Sequence, residues 1–249
     1  MKLTYHRGGV CELVELWIGF GILILYFLIC ATGAMILRRI VTIPKEIFRK
    51  TLHTILLGSI FIFAYAFHSW WISAIASIAF VMVVYPVLSI AERFKGYSEL
   101  LTERKCGEIK RSLVVVFVMF STLIVVCWGV LDQKYLVIAA VMAWGLGDAA
   151  AALVGKKYGR HIFEGKQIEG KKSLEGTLAM FAVSFASVLL VLILISPIQW
   201  KYFIPLSIVT AAVSAMAELF TKDGMDTITC PFSAAFAMIV LLQIGGLLL

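Results

Sequence analysis

The chain has 249 residues, of which 61% are hydrophobic and 15% charged, with a mean hydropathy of +0.98 and a formal net charge of +7. A soluble domain of this length cannot hide that much apolar side chain, so a soluble enzyme is excluded and a polytopic membrane protein remains. The positive charge marks no nucleic-acid partner either, because it follows the loops between apolar segments.

Crossing the hydrocarbon as a helix takes about 20 mostly apolar residues. The sequence predicts such segments at 13–37, 52–67, 71–91, 113–131, 135–154, 178–196, 202–220 and 231–249. The expected fold is therefore all-α, an integral membrane protein of eight transmembrane helices. The number is seven if the short second segment makes a hairpin with the third across the interfacial turn Phe67-His68-Ser69-Trp70. A single transmembrane domain over 1–249 is expected, with the first helix (1–40) peripheral to a core over 45–249. The first apolar run is long enough to span, and Glu12 and Glu15 open it in place of a basic flank, so no cleavable signal is expected. The five cysteines are odd in number and widely spaced, which gives neither a metal signature nor a disulfide framework.

Lysine and arginine set the orientation. Loops 38–51, 92–112, 155–177 and 221–230 carry eighteen of them, against four on the opposite side (Lys2, Arg7, Lys134 and Lys201). The basic loops are expected to face the cytosol and to form the site, in the plasma membrane of a prokaryote or, as the alternative, the endoplasmic reticulum.

Four stretches break the apolar pattern with chemistry. The first is Arg49-Lys50-Thr51-Leu52-His53 at the start of the second segment, where Arg49 and His53 share a face at i,i+4. The second is Gly145-Leu146-Gly147-Asp148, which places a carboxylate about 9 Å inside the end of the fifth segment. An unpartnered carboxylate at that depth costs several kcal/mol, so Asp148 needs a partner, either a structural ion pair or a functional ligand. Gly145 and Gly147 predict a broken or closely approached backbone beside it. The third stretch, Lys171-Lys172-Ser173-Leu174-Glu175-Gly176, sets two lysines in front of a helix whose amino end faces the same side, an arrangement that suits phosphate. Ser173 as a simple N-cap, with Glu175 complementing the dipole, is the plainer alternative. The fourth runs from Glu218 through Asp223 and Asp226 to Pro231, three carboxylates within nine residues beside a helix expected to open at Pro231. Such carboxylates suit Mg²⁺, which takes one or two of them and completes its shell with substrate phosphates, or they form a solvated turn. The run Gly165–Lys172 has the glycine and lysine spacing of a P-loop, but Lys172 stands where Ser or Thr belongs and no strand precedes it.

In this order on alternating segments, Arg49-Lys50 with His53, Gly147-Asp148 with Gly155 and Gly159, Lys171-Lys172-Ser173 with Gly176, and Glu218 followed by Asp226, Thr229 and Pro231 resemble the integral-membrane lipid kinases of the phytol kinase and dolichol kinase group, which extends to CTP-dependent diacylglycerol kinases. The resemblance covers most of the chain from about residue 45 onward. It implies transfer of the γ-phosphoryl group of CTP, or less directly UTP or ATP, to the hydroxyl of a lipid alcohol. It implies Mg²⁺ held by Asp148 and Asp226, with Glu218 as a third ligand or as the base. Lys171, Lys172 and the helix end carrying Ser173 and Gly176 would neutralise the transferred phosphoryl group, and Arg49, Lys50 and His53 with Gly147 would bind nucleotide. In the family an Asn usually follows the last Asp, where this chain has Thr227. The same GD…KKS-x-E-G pattern is similar to part of phosphatidate cytidylyltransferase, whose C-terminal signature is lacking here. A transporter or scaffold using Asp148 and Glu218 as cation sites is the reading from another class; against it, the carboxylates crowd one face instead of the midplane. Membrane lipids and a nucleoside triphosphate are the expected partners.

Overall fold

The computed structural model describes residues 3–93, 97, 107–163, 172–221 and 224–247, with side chains from residue 12 onward. Eight helices among them are long and apolar enough to cross a membrane. They are α1 (Leu3–Ile40), α2 (Lys45–Tyr65), α3 (Trp70–Ala91), α4 (Glu108–Leu123, continued by a π-helical stretch over Ile124–Val130), α5 (Lys134–Tyr158), α6 (Leu174–Ile195), α7 (Phe203–Phe220) and α8 (Asp226–Ile244). The second segment, Lys45–Tyr65, is thus long and apolar enough to span.

The helices divide into two compact units, residues 1–129 and 130–249. In the first, α1 is largely exposed yet held at three points. The Glu15 carboxylate accepts from the His68 and Ser69 amides at 2.8 and 3.1 Å, complementing the amino end of α3. The Tyr26 hydroxyl donates to the Ile55 carbonyl at 2.7 Å, and Gly19 lies directly under the Phe67 ring. Phe27, Phe63, Phe80, Phe117 and Phe120 form the aromatic interior, with Phe80 and Phe117 stacked at 4.8 Å. Polar side chains fix the helices around it: Ser73 donates to the Phe63 carbonyl, and Ser77 and Ser121 bond reciprocally between α3 and α4. The π-helical stretch brings Gly129 against the Trp70 ring so closely that a Cβ there would stand 2.8 Å from it.

In the second unit α5 is the central helix, buried without interruption from Tyr135 to Gly145. It runs unbroken past Gly145 and Gly147, so of the two expectations the close approach holds and the break does not. A Cβ on Gly147 would lie 2.3 Å from Ser184 Oγ, one on Gly155 3.2 Å from Ser173 Oγ, and one on Gly176 3.0 Å from the Ala151 carbonyl. Gly147, Ala151 and Gly155 recur every four residues, as do Gly176, Met180 and Ser184, and together they make a seam of mostly small residues between α5 and α6. Ser184 ties it by donating to the Ala143 carbonyl at 2.6 Å. Two boundaries differ from expectation at the basic side. Helix α5 continues to Tyr158, which puts Asp148 about 15 Å from its carboxyl end. Helix α8 opens at Asp226, so Pro231 sits in its second turn and not at its start; an acidic first residue complements the dipole and lets the helix begin earlier.

Gly147→Val should destabilise the detergent-solubilised protein by about 1–3 kcal/mol through overpacking of the seam. Gly21→Val, at a glycine with nothing within 4 Å, should leave the unfolding temperature unchanged. Equal effects at the two positions would remove the seam from the account.

Candidate active site

Within the second unit the carboxyl half of α5, the carboxyl end of α7 and the amino ends of α6 and α8 carry the polar residues singled out in the sequence. The turn ahead of α6 is built first by backbone. Phe163 donates to the Lys172 carbonyl and Leu174 to the His161 carbonyl, each at 2.9 Å, so the ends of the basic loop are bridged. Glu175 turns back to accept from the Arg160 and His161 amides at 3.1 and 3.3 Å and pairs with His161 Nδ1 at 2.7 Å. Ser173 is the N-cap, accepting from the Gly176 amide at 3.2 Å, while Thr177 donates to the Ser173 carbonyl. Leu174, Gly176 and Thr177 amides thus have acceptors within the chain. The N-cap reading of Ser173 holds.

That bridge fixes Lys172. Its ammonium pairs with Glu218 Oε1 at 3.1 Å and donates to the carbonyls of Glu218 and Thr221, the latter at 3.1 Å. Three acceptors match its three donors. It therefore balances a carboxylate and caps the carboxyl end of α7 at once, and both side chains are mostly buried, at 18% and 14% exposure. Thr221 and Thr229 hydroxyls meet at 2.7 Å, which joins the end of α7 to the first turns of α8. Asp148 and Asp226 both lie close enough to Glu218 to act on it electrostatically, and all three act on the Cys230 thiol. The structure thus brings together Asp148, Lys172, Glu218 and Asp226 from four elements, with Gly147, Ser173 and Gly176 as packing and capping residues beside them. Among the described residues no three His, Cys, Asp or Glu side chains are grouped so as to hold a metal ion on their own, so the three carboxylates are not a ready-made cage. One or two of them would fit a magnesium that arrives with phosphates, since that is how this ion is usually bound.

Lys171 and Asp223 fall outside the described residues. Arg49, Lys50 and His53 belong to the first unit, where the Arg49 guanidinium is engaged by Glu46 on its own helix and by Glu108 of α4 at 3.4 Å. The pairing to Glu46 at i−3 is readable from sequence; the one to Glu108, 59 residues away, is not. Thr221 carried no sequence signal, because a threonine at a helix end is common.

These features define a polytopic helical membrane protein with a carboxylate-rich, lysine-neutralised site where the ends of three helices meet the carboxyl half of α5. In sequence it is 30% identical over 240 residues to the phytol kinase of Synechocystis sp., an alignment covering 89% of this chain and 91% of that protein. The chain belongs to the phytol kinase and dolichol kinase family of membrane lipid kinases. No protein-family model matches it, and no solved structure does.

Lys172→Met should lower stability by about 2–4 kcal/mol, because it strands a buried carboxylate and uncaps α7. Glu218→Gln should cost less in that background than in the parent, with a coupling of at least about 1 kcal/mol in a double-mutant cycle followed by denaturant unfolding. Strict additivity would show that the pair is not an energetic unit.

Proposed function

We propose that this kinase transfers the γ-phosphoryl group of CTP to the hydroxyl of an isoprenoid alcohol, phytol or a polyprenol in preference to dolichol or diacylglycerol, on the cytosolic side of a prokaryotic plasma membrane. The observation that carries the reading is the meeting of Asp148, Lys172, Glu218 and Asp226 at one end of a helical unit whose relative is a phytol kinase. The lysine and arginine asymmetry of the loops supports the cytosolic orientation.

In this mechanism the acceptor alcohol slides in between apolar helices and only its hydroxyl reaches the polar layer. Glu218 takes the hydroxyl proton as the oxygen attacks the γ-phosphorus, the bond from that phosphorus to the bridging oxygen breaks, and CDP leaves. Oε1 of Glu218 is held by Lys172, so Oε2 is the accepting atom. Lys172 keeps that carboxylate oriented and places a positive charge beside the transferred group, where catalysis of phosphoryl transfer gains most from stabilising the charge that develops. Asp148 and Asp226 would hold Mg²⁺, which when bound neutralises phosphate oxygens. Lys171, next to Lys172 in the sequence, supplies further positive charge for the outer phosphates.

Purified enzyme given CTP and a panel of lipid alcohols should move a γ-³²P label into lipid and leave an α-³²P label in CDP. Lipid labelled only from the α position would make the chain a cytidylyltransferase instead. Asp148→Asn should lose at least about 100-fold in turnover with an unchanged unfolding temperature; near-normal rate would remove Asp148 from the site. Mg²⁺ alone should not shift the unfolding temperature, whereas Mg²⁺ with CTP should raise it. A shift with the metal alone would mean that a preformed cage exists.

A further inference from the structure

The Glu175 carboxylate ties its helix to the one before it. Glu175 stands two residues after the N-cap Ser173, one short of the position from which a capping-box glutamate reaches the N-cap amide. Its oxygens go to residues 15 and 14 places back in the chain: Oε2 accepts from the Arg160 amide at 3.1 Å, and Oε1 accepts from the His161 amide at 3.3 Å and meets His161 Nδ1 at 2.7 Å. Arg160 and His161 are the first residues beyond α5, whose C-cap is Gly159. Complementing the helix dipole would not require any of these contacts.

What they hold is the segment that carries Lys172. His161 is fixed from both sides, its amide by Glu175 and its carbonyl by the Leu174 amide, while Phe163 donates to the Lys172 carbonyl. Gly159 closes the same corner, since a Cβ there would stand 2.8 Å from Ser173 Oγ. From this segment the Lys172 side chain crosses to α7, 46 residues away, where its ammonium meets Glu218 Oε1 at 3.1 Å. A lysine stem is four flexible carbons long, so the place of the ammonium depends on how firmly its backbone is held. Ordering such a side chain costs rotamer freedom, and a fixed starting point limits that cost.

We propose that Glu175 is a positioning residue: by holding His161 it fixes the segment that carries Lys172 and so sets the Lys172 ammonium against Glu218. Its part in catalysis rests on the reading that Lys172 and Glu218 act at the transferred phosphoryl group; the positioning does not. The Lys172→Met/Glu218→Gln cycle, followed by denaturant unfolding of the full chain, should lose at least about half of its coupling when it is repeated in a Glu175→Ala background. With γ-³²P CTP and phytol, Glu175→Ala should lower kcat on the order of 10- to 100-fold and leave the KM for each substrate near the parental value. Glu175→Gln, whose carboxamide oxygen still accepts from an amide, should restore most of that loss. If the alanine variant does not fold, His161→Ala, which removes an exposed ring and keeps both amides, makes the same comparisons with smaller losses. Coupling lost with kcat unchanged would sustain the positioning and remove Lys172 from the chemistry. Unchanged coupling in whichever variant folds, or no coupling in the parent, would overturn the proposal whatever the activity.

Discussion

The Lys172 ammonium is the contact on which the second unit depends. Glu218 lies within the electrostatic reach of two other carboxylates, and three such groups in a medium that solvates charge poorly would repel one another without a cation among them. Lys172 answers that with one pairing and uses its remaining donors on carbonyls that the end of α7 would otherwise leave exposed. The lysine is in turn held from behind, because its own carbonyl accepts from Phe163 across the bridged loop. Charge balance, helix capping and loop closure are therefore one structure, and a change in any part reaches the carboxylates.

The α5–α6 seam determines whether that structure has anything to act on. Glycines at 147, 155 and 176 let two helices approach until a single added methyl group would collide with a side chain or a carbonyl. In lipid such closeness is itself the source of helix association, since no hydrophobic force drives apolar helices together there. The residue next to Gly147 is Asp148, so the packing that holds α5 against α6 also fixes where the carboxylate stands. Ser173 works in both registers: it caps α6, and its hydroxyl stands 3.2 Å from where a Gly155 side chain would begin.

What was legible in the sequence divides along physical lines. All eight segments were readable because a spanning helix must be apolar for most of its length, and Asp148, Lys172, Glu218 and Asp226 were readable because an ionisable group beside such a helix carries a visible energetic cost. Helix ends were less so: charges at Glu108 and Asp226 look like loop, yet an acidic residue in a first turn is favourable and belongs to the helix. The bond from the Leu174 amide to the His161 carbonyl comes from across a loop, a contact that no local pattern announces. The same holds for Glu108 on Arg49. Thr221 and the buried α7 hydroxyls escaped notice for a different reason, since Ser and Thr sit in membrane helices at little cost by bonding back to their own backbone; only the absence of that bond among the described residues sets Ser207, Thr210 and Ser214 apart.

The lack of a ready-made three-carboxylate cage among the described residues also follows from where the site lies. Three ionised carboxylates converging on an empty centre would be costly in surroundings of low dielectric, and the cost would persist through every moment without substrate. Dispersing the acids over three helices and neutralising one of them with Lys172 lowers that cost. Magnesium tolerates the dispersed arrangement because it keeps most of its shell in water and phosphate oxygens and asks the protein for only one or two ligands. In the mechanism proposed here the nucleotide would bring the missing ligands with it, and the protein's part would be to keep a few charges apart and correctly oriented.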